Sequence, residues 1–319
     1  MIEHQNHHWV PKFLLKNFAD ADGRFFRLNV ADDQVTKLSP KRAASRPNFN
    51  VLLADGNPKS FESQFERLET AGARPLNEVV EKQTLATLSR LQRMAIARFV
   101  AAQSFRTEAY RLGFQRNEGN FDIGTAIDMM MADIDQLAGL LDERKWSLLV
   151  TKKCDPFYLG DNPVVLQNTE KPGNAGELGM DMVGVEVFLP LSPVCALYMI
   201  CPGHGQEIID GYRNALRINV AWLAGVDLED FDISSALPIA RQVLGSTQPL
   251  YQAITIGSAL EADHENVENL NYLQCAWASS GIFSNYPDFA FAKRVFRENP
   301  QYRDVLPVRL HRAWDGEHR

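Results

Sequence analysis

The chain has 319 residues, of which 45% are hydrophobic and 23% are charged, and its formal net charge is −7. This balance is typical of a folded globular protein. The acidic total argues against a general polyanion-binding protein, because such binding needs clustered Lys and Arg, although a local basic groove is compatible with it.

Four cysteines lie far apart without a C-x-x-C pair, so the sequence indicates neither a zinc knuckle nor a disulfide framework. We expect them to be buried, reduced thiols. No apolar run is long enough to span a bilayer, and the polar start lacks the apolar stretch of a signal peptide. These features predict a cytoplasmic protein that does not enter a membrane.

The first predicted element is a helix that begins at Pro11, directly after a polar stretch containing His4, His7 and His8. Proline suits the first helical position, because its missing N–H would be unpaired there. The apolar face of this helix consists of Phe13, Leu14, Leu15 and Phe18. We expect a helix docked into the core, with the imidazoles of His7 and His8 held at its positive end.

The chain then alternates between the hydrophobic periodicity of strands and that of helices. Residues 25–38 predict a hairpin, residues 39–50 a basic loop, and residues 49–53 a short strand. Three helical segments follow, beginning near Ser60 as N-cap and continuing over residues 87–112 and 122–143. Strands are predicted at residues 146–150, 157–159, 164–166, 185–189 and 196–200, and helices at residues 212–223 and 267–280. Residues 227–258 carry no clear pattern.

This order predicts an α+β fold in which a helical bundle packs with an antiparallel sheet. We expect a single domain over residues 1–319. Its parts are a helix and hairpin (1–58), a helical bundle (59–144), a sheet (145–202) and a C-terminal helical part (203–319).

Several short motifs resemble a bacterial family of unknown function, DUF4238. They are His8-Trp9-Val10-Pro11, Glu62 with Leu68-Glu69, Gln103 with Arg106, Asp161-Asn162-Pro163-Val164, Pro190-Leu191-Ser192, and Leu270-Asn271 leading to Ile282-Phe283-Ser284. Gly160 departs from the pattern, since similar sequences more often have serine there. The resemblance implies a recurrent polar constellation and no settled activity.

The candidate site residues each have a structural alternative. His8 fits a general base or metal ligand, and His7 a substrate contact, but either imidazole could instead cap a helix or pack. Glu62 and Glu69 share a helix face with Glu66, which we interpret as a solvated residue. Catalysis or metal binding by Glu62 and Glu69 competes with their roles as ion-pair partners.

Gln103 and Arg106 lie three residues apart in an alanine-rich helix. Arg106 fits a carboxylate or phosphate group, and an internal pair with Glu62 or Glu69 is equally compatible. Asp161 and Asn162 follow a predicted strand, which would aim them into a cleft, but an Asx-turn would also explain them.

We expect His8, Glu62, Glu69, Arg106 and Asp161 to converge on one polar cleft. Catalytic roles are predicted for His8, Glu62, Glu69 and Asp161, and substrate binding for His7, Gln103, Arg106 and Asn162. His8, Glu62 and Asp161 are the predicted ligands of a divalent metal (Mg²⁺, Mn²⁺ or Zn²⁺).

These residue types favour metal-assisted hydrolysis of a phosphate ester or phosphodiester, with a nuclease-like activity on nucleic acid as one version. Lys12, Lys16, Lys41, Arg42 and Arg46 form the basic cluster nearest to this site in the sequence. Two alternatives remain open: a ligand- or partner-binding protein with a buried polar network, and group transfer from a nucleotide.

Overall fold

The computed structural model describes residues 5–117, 122–170, 179–225 and 232–303. It confirms the α+β class. The helices are α1 (Lys12–Asn17), α2 (Glu62–Lys82), α3 (Arg90–Arg106), α4 (Glu108–Asn117), α5 (Ile123–Ala132), α6 (Ile134–Asp142), α7 (Pro202–Ala224), α8 (Ile233–Ile256), α9 (His264–Trp277) and α10 (Ala290–Glu298). The strands are β1 (Asn6–His8), β2 (Phe25–Asn29), β3 (Val35–Leu38), β4 (Ser45–Pro47), β5 (Val51–Ala54), β6 (Asn57–Ser60), β7 (Lys145–Val150), β8 (Leu159–Gly160), β9 (Val165–Asn168), β10 (Val185–Ser192), β11 (Cys195–Ile200), β12 (Ala259–Glu261) and β13 (Gly281–Ser284).

The larger sheet has the strand order β12-β7-β11-β10-β9. Strands β7, β9, β10 and β11 pair antiparallel, as the sequence predicts, whereas β12 joins β7 in parallel. Every residue of β10 is buried, and this explains its nearly continuous apolar sequence.

A second sheet has the order β3-β2-β13-β8. The predicted hairpin of β2 and β3 forms, but its inner strand also pairs with β13 from the far end of the chain. The prediction of one sheet within residues 145–202 is therefore wrong in two respects. Strand β8 belongs to this second sheet, and the region predicted as helical contributes both β12 and β13.

The helical bundle contains breaks that its periodicity does not reveal. Thr107 has extended backbone dihedrals and divides the predicted helix of residues 87–112 into α3 and α4. Asp133, with φ −96° and ψ 16°, separates α5 from α6. Ser89 begins α3 with a capping box to Gln92, and Phe61 rather than Ser60 is the N-cap of α2.

Residues 233–256, within the region without a clear pattern, form helix α8, which packs along α7. Residues 226–231 and 171–178 lie outside the described residues, and so does His4. Three of the cysteines are buried as expected, but Cys154 is exposed, which corrects the prediction for that thiol. No helix in the described ranges is both long and apolar enough to cross a membrane.

One hydrophobic cluster connects the bundle, the larger sheet and the terminal elements. It contains Leu14 and Leu15 of α1, Phe99 of α3, Leu197 of β11 and Phe283 of β13, each almost completely buried. The docked first helix predicted from the sequence is thus part of the core. Because α1 is fixed, the polar strand β1 before it is fixed as well.

Gly124 of α5 supplies a test of this packing. A Cβ atom there would lie 1.9 Å from the Leu53 backbone oxygen of β5, so we expect Gly124→Ala to cost about 2 kcal/mol of unfolding free energy. Gly139 of α6 has open space instead, and Gly139→Ala should gain up to about 1 kcal/mol. Urea unfolding of both variants measures the contrast, and equal effects would contradict the close approach of α5 and β5.

Candidate functional site

His7 and His8 lie on β1, which pairs antiparallel with β4. The segment of residues 39–50, predicted as a loop, therefore contains strand β4. The two histidines are held by this strand pairing, before α1 begins at Lys12. Successive side chains of a strand point to opposite faces. The two imidazoles, both buried, accordingly contact different partners.

His7 faces the start of α2. Its Nδ1 accepts a hydrogen bond from the Asn50 backbone N–H at 3.0 Å and lies 3.8 Å from Oε2 of Glu62. The Nδ2 of Asn50 also donates to Glu62. Because Nδ1 is an acceptor, the imidazole carries its proton on Nε2.

His8 faces the other way, with Nε2 3.2 Å from the Pro40 carbonyl oxygen. Burial, followed by the positive charges of Lys12 and Arg106, lowers the pKa of His8 from 6.5 to about 4. His8 is therefore neutral at pH 7, and its surroundings are positive.

We expect this environment to make stability depend on pH. The pKa of His8 is lower in the folded protein than in the unfolded chain. The contribution of neutral His8 to the free energy of unfolding is therefore complete above about pH 6.5 and is lost as the pH falls towards 4. Between pH 7 and pH 5, wild type should lose about 2 kcal/mol more unfolding free energy than His8→Gln. Urea titrations at both pH values test this, and parallel losses would contradict it.

Arg111 of α4 lies at the centre of the charged groups. Burial, then the charges of Arg46 and Arg106, lowers the pKa of Arg111 to about 9, while Glu108 and Glu62 act in the opposite direction. Its Nη1 donates to the Phe49 carbonyl oxygen, and its Nη2 donates to Oδ1 of Asn50 at 2.8 Å. We call Arg46, Arg106, Arg111, Glu62, Glu69 and Glu108 the polar cluster.

Two guanidinium groups of the polar cluster contact one aromatic ring. The Arg111 guanidinium carbon is 3.4 Å from the centre of the Phe49 ring, and that of Arg46 is 5.0 Å away. Arg46 also pairs with Glu108 at 3.1 Å, and its side chain is 56% exposed. Arg46 is therefore the arginine of the cluster that a ligand from solvent can reach.

The three carboxylates of the cluster differ in environment. Glu62 and Glu69 share one face of α2 but are two turns, or about 10 Å, apart. Glu69 pairs with Arg106 at 3.0 Å, whereas Glu62 contacts Asn50 and His7. Burial raises the pKa of Glu108, as does the charge of Asp161, and Arg46 opposes this rise.

Gln103 and Arg106 are both buried on α3. Gln103 donates from Nε2 to the Trp9 carbonyl oxygen at 2.7 Å, and Arg106 pairs with Glu69. Within the described part of the chain, Oε1 of Gln103 and Nε of Arg106 have no hydrogen-bond partner. The internal ion pair considered for Arg106 is thus present, and Glu69 is its partner.

Asp161 follows β8 and is 1% exposed. Its two carboxylate oxygens accept hydrogen bonds from the backbone N–H and the hydroxyl of both Ser279 and Ser280, at 2.6 to 2.8 Å. These contacts join β8 to the turn between α9 and β13. Asn162 is also buried, and its Oδ1 has no partner among the described residues.

The predicted residues are therefore only partly brought together. Glu62, Glu69 and Arg106 belong to the polar cluster, and His7, His8 and Gln103 lie on or next to β1 beside it. Asp161 is connected to the cluster through its charge acting on Glu108. No three His, Cys, Asp or Glu side chains in the described ranges form a group that could hold a metal ion. The predicted ligands His8, Glu62 and Asp161 are accordingly not grouped here.

A family model described as a protein of unknown function, DUF4238, matches residues 6–125 and 118–288. The chain belongs to this family. The His8 to Pro11, Gln103 to Arg106 and Asp161 to Val164 motifs of DUF4238 all lie inside the matched ranges. No curated protein and no solved structure gives a significant match to this DUF4238 chain.

Arg111 and Glu108 also belong to the site, although neither is among the residues predicted for it. A signal exists for Arg111, which interrupts the otherwise apolar run from Ala109 to Phe114, much as Arg106 follows an apolar, alanine-rich stretch. Gly160, the departure from the DUF4238 pattern, also has a structural reason. A Cβ there would lie 3.0 Å from Oε1 of Gln274, which accepts the Gly160 N–H.

Proposed function

We propose that the polar cluster is the active site of a hydrolase acting on a phosphate ester or phosphodiester. The observation that carries this proposal is the convergence of Arg46, Arg106 and Arg111 beside partly exposed carboxylates. Three guanidinium groups create a positive potential that favours a phosphoryl group, which arginine also binds in a bidentate manner.

The lowered pKa values of His8 and Arg111 support an anionic substrate. Burial contributes most to both shifts, and neighbouring positive charges contribute next. At Arg111 the charges of Arg46 and Arg106 outweigh those of Glu108 and Glu62, so an anion close to this guanidinium would be stabilised. Arg46 would contact the phosphate, while the buried Arg106 and Arg111 would contribute through their charge.

Two carboxylates have environments suited to acid and base roles. The side chain of Glu62 is 27% exposed, so it is accessible to water and would act as the general base. Glu108 has a raised pKa and would supply a proton to the leaving oxygen. Glu69 would hold Arg106 in place through their ion pair.

The test is hydrolysis of p-nitrophenyl phosphate, bis(p-nitrophenyl) phosphate and single-stranded RNA and DNA. Removing a general base costs about 100-fold or more in rate, so Glu62→Gln should lose at least that. Glu66→Gln is the matched control, because Glu66 lies one turn away on α2 and is exposed. Turnover no greater than that of heat-inactivated protein, or equal losses in both variants, would overturn the proposal.

A divalent metal remains a separate prediction of the same hypothesis. Elemental analysis of protein purified without chelator, combined with melting scans in Mg²⁺, Mn²⁺ and Zn²⁺, measures it directly. Stoichiometric metal whose stabilising effect is lost in His8→Ala would support the predicted ligand. Purified protein without bound metal, and with the same melting temperature in all three metal ions, would count against a metal site.

A second candidate is a ligand- or partner-binding protein with a buried polar network. The observation that favours it is that both carboxylate oxygens of Asp161, and the Nε2 of Gln103 and both Nη atoms of Arg111, already form hydrogen bonds inside the protein. On this hypothesis, substitutions in the network change stability and leave no phosphoesterase activity to lose. The assays above therefore separate the two candidates.

A further inference from the structure

A cavity lies far from β1 in the chain, between the loop before β8, the start of α9 and the segment before α10. Its volume is about 780 Å³, which is in the range of pockets that hold small molecules. No residue of the polar cluster lines it. Any ligand here would therefore be independent of the proposed hydrolase site.

The walls of this cavity are rich in aromatic side chains. Tyr158 is buried against Phe289, and its hydroxyl donates to the Asp288 carbonyl oxygen at 3.3 Å. Tyr286 is 47% exposed, and Phe291 is half-buried. Aromatic faces carry partial negative charge, so a cation that rests against them is stabilised.

Three carboxylates line the same cavity: Asp155, Glu268 and Asp288. Asp155 contacts Nδ1 of His264 at 2.9 Å, and Glu268 contacts Nη2 of Arg294 at 3.0 Å. The side chains of His264 and Arg294 are 69% and 48% exposed. Such pairs are weak, so a ligand cation could compete with them or add to them.

Arg294 shows how a cation binds to the side chains at the edge of this cavity. Its guanidinium carbon lies 5.1 Å from the centre of the Phe291 ring while Nη2 donates to Glu268. One planar cation is thus stacked on an aromatic ring and paired with a carboxylate at the edge of the cavity. Tyr286 and Asp288, two residues apart, offer the same pair of groups to a ligand.

We propose that this cavity binds a small organic cation, in which an ammonium or guanidinium group is carried on an apolar or aromatic body. The apolar or aromatic body packs against the aromatic side chains, and the carboxylates pair with the positive charge. An anion of the same shape would face three carboxylates, against which the lining offers the charge of Lys153.

Three indoles of similar size provide the test. Tryptamine is cationic, tryptophol is neutral and indole-3-acetate is anionic, and agmatine adds a guanidinium on an aliphatic body. Calorimetry at pH 7 should give tryptamine an affinity at least tenfold above that of tryptophol, with indole-3-acetate weaker still. The same affinity for all three indoles, or no binding of either tryptamine or agmatine, would overturn the proposal.

Two variants locate the binding. Asp288→Asn and Glu268→Gln should each weaken tryptamine binding about tenfold, whereas Glu265→Gln is a control on α9 whose side chain does not line the cavity. Glu62→Gln should bind tryptamine like wild type, so this inference stands or falls separately from the hydrolase. Unchanged affinity in both cavity variants, with their folds intact by circular dichroism, would overturn it.

Discussion

Replacing Asp161 with alanine should lower the free energy of unfolding by about 3 to 5 kcal/mol. The substitution leaves the backbone N–H groups of Ser279 and Ser280, both half-buried residues, without their charged acceptor. An unpaired buried donor costs about 1 to 3 kcal/mol, and the bonds lost here are of the stronger, charge-assisted kind. Urea unfolding followed by circular dichroism measures the change.

Asp161→Asn provides the graded comparison. Its amide retains one oxygen acceptor but turns a donor towards a group that also donates, so we expect a smaller loss than for alanine. Asp22→Ala is the control, because that side chain is 79% exposed and should change stability by less than about 0.5 kcal/mol. If Asp161→Ala unfolds at the same urea concentration as wild type, Asp161 does not hold the turn, and its catalytic assignment regains support.

Arg111→Ala should cost about 3 to 4 kcal/mol of unfolding free energy. It removes the guanidinium that stacks on Phe49 and leaves the Phe49 carbonyl oxygen and Oδ1 of Asn50 without their donor. Because Asn50 also contacts His7 and Glu62, the same change should reduce any activity that depends on Glu62.

The comparison variants separate charge from geometry. Arg111→Lys keeps the charge but lacks the planar fork, so it should recover only part of the loss. Arg74→Ala is the surface control, with a side chain that is 87% exposed. Full recovery by lysine would mean that charge alone matters at this position, which would contradict the role assigned to the two hydrogen bonds from Nη1 and Nη2.

Local features of the fold were accessible from the sequence. The hairpin of β2 and β3 was predicted because the apolar residues and turn residues that specify it are adjacent in the chain. The docking of α1 followed from one apolar face. In both elements the information lies within about twenty residues, where periodicity is informative.

Pairings between distant segments were not accessible in this way. Nothing in residues 281–284 indicates that they insert between β2 and β8, because that choice depends on the rest of the core. The break at Thr107 is similar, since one extended residue interrupts an otherwise helical pattern. The break changes the direction of the chain before α4 and so brings Arg111 to Asn50. A single helix over residues 87–112 does not predict this contact.

The sequence predicts several residues of the candidate site, but it does not predict which side chains they contact. The sequence singled out Arg106 and Glu69, and the structure pairs them. It also singled out Asp161, whose contacts with Ser279 and Ser280 depend on a turn more than a hundred residues later. Residue type indicated that these side chains are polar and special, whereas their role depends on what the fold brings next to them.

The pairing of β2 with β13 has a consequence for synthesis of the chain. When β2 leaves the ribosome, β3 follows at once, but the strand that covers its other edge is made about 250 residues later. An uncovered strand edge is a template for pairing with another chain. The nascent protein therefore carries an aggregation-prone edge while these residues are made, and truncation before residue 281 would leave that edge permanently open.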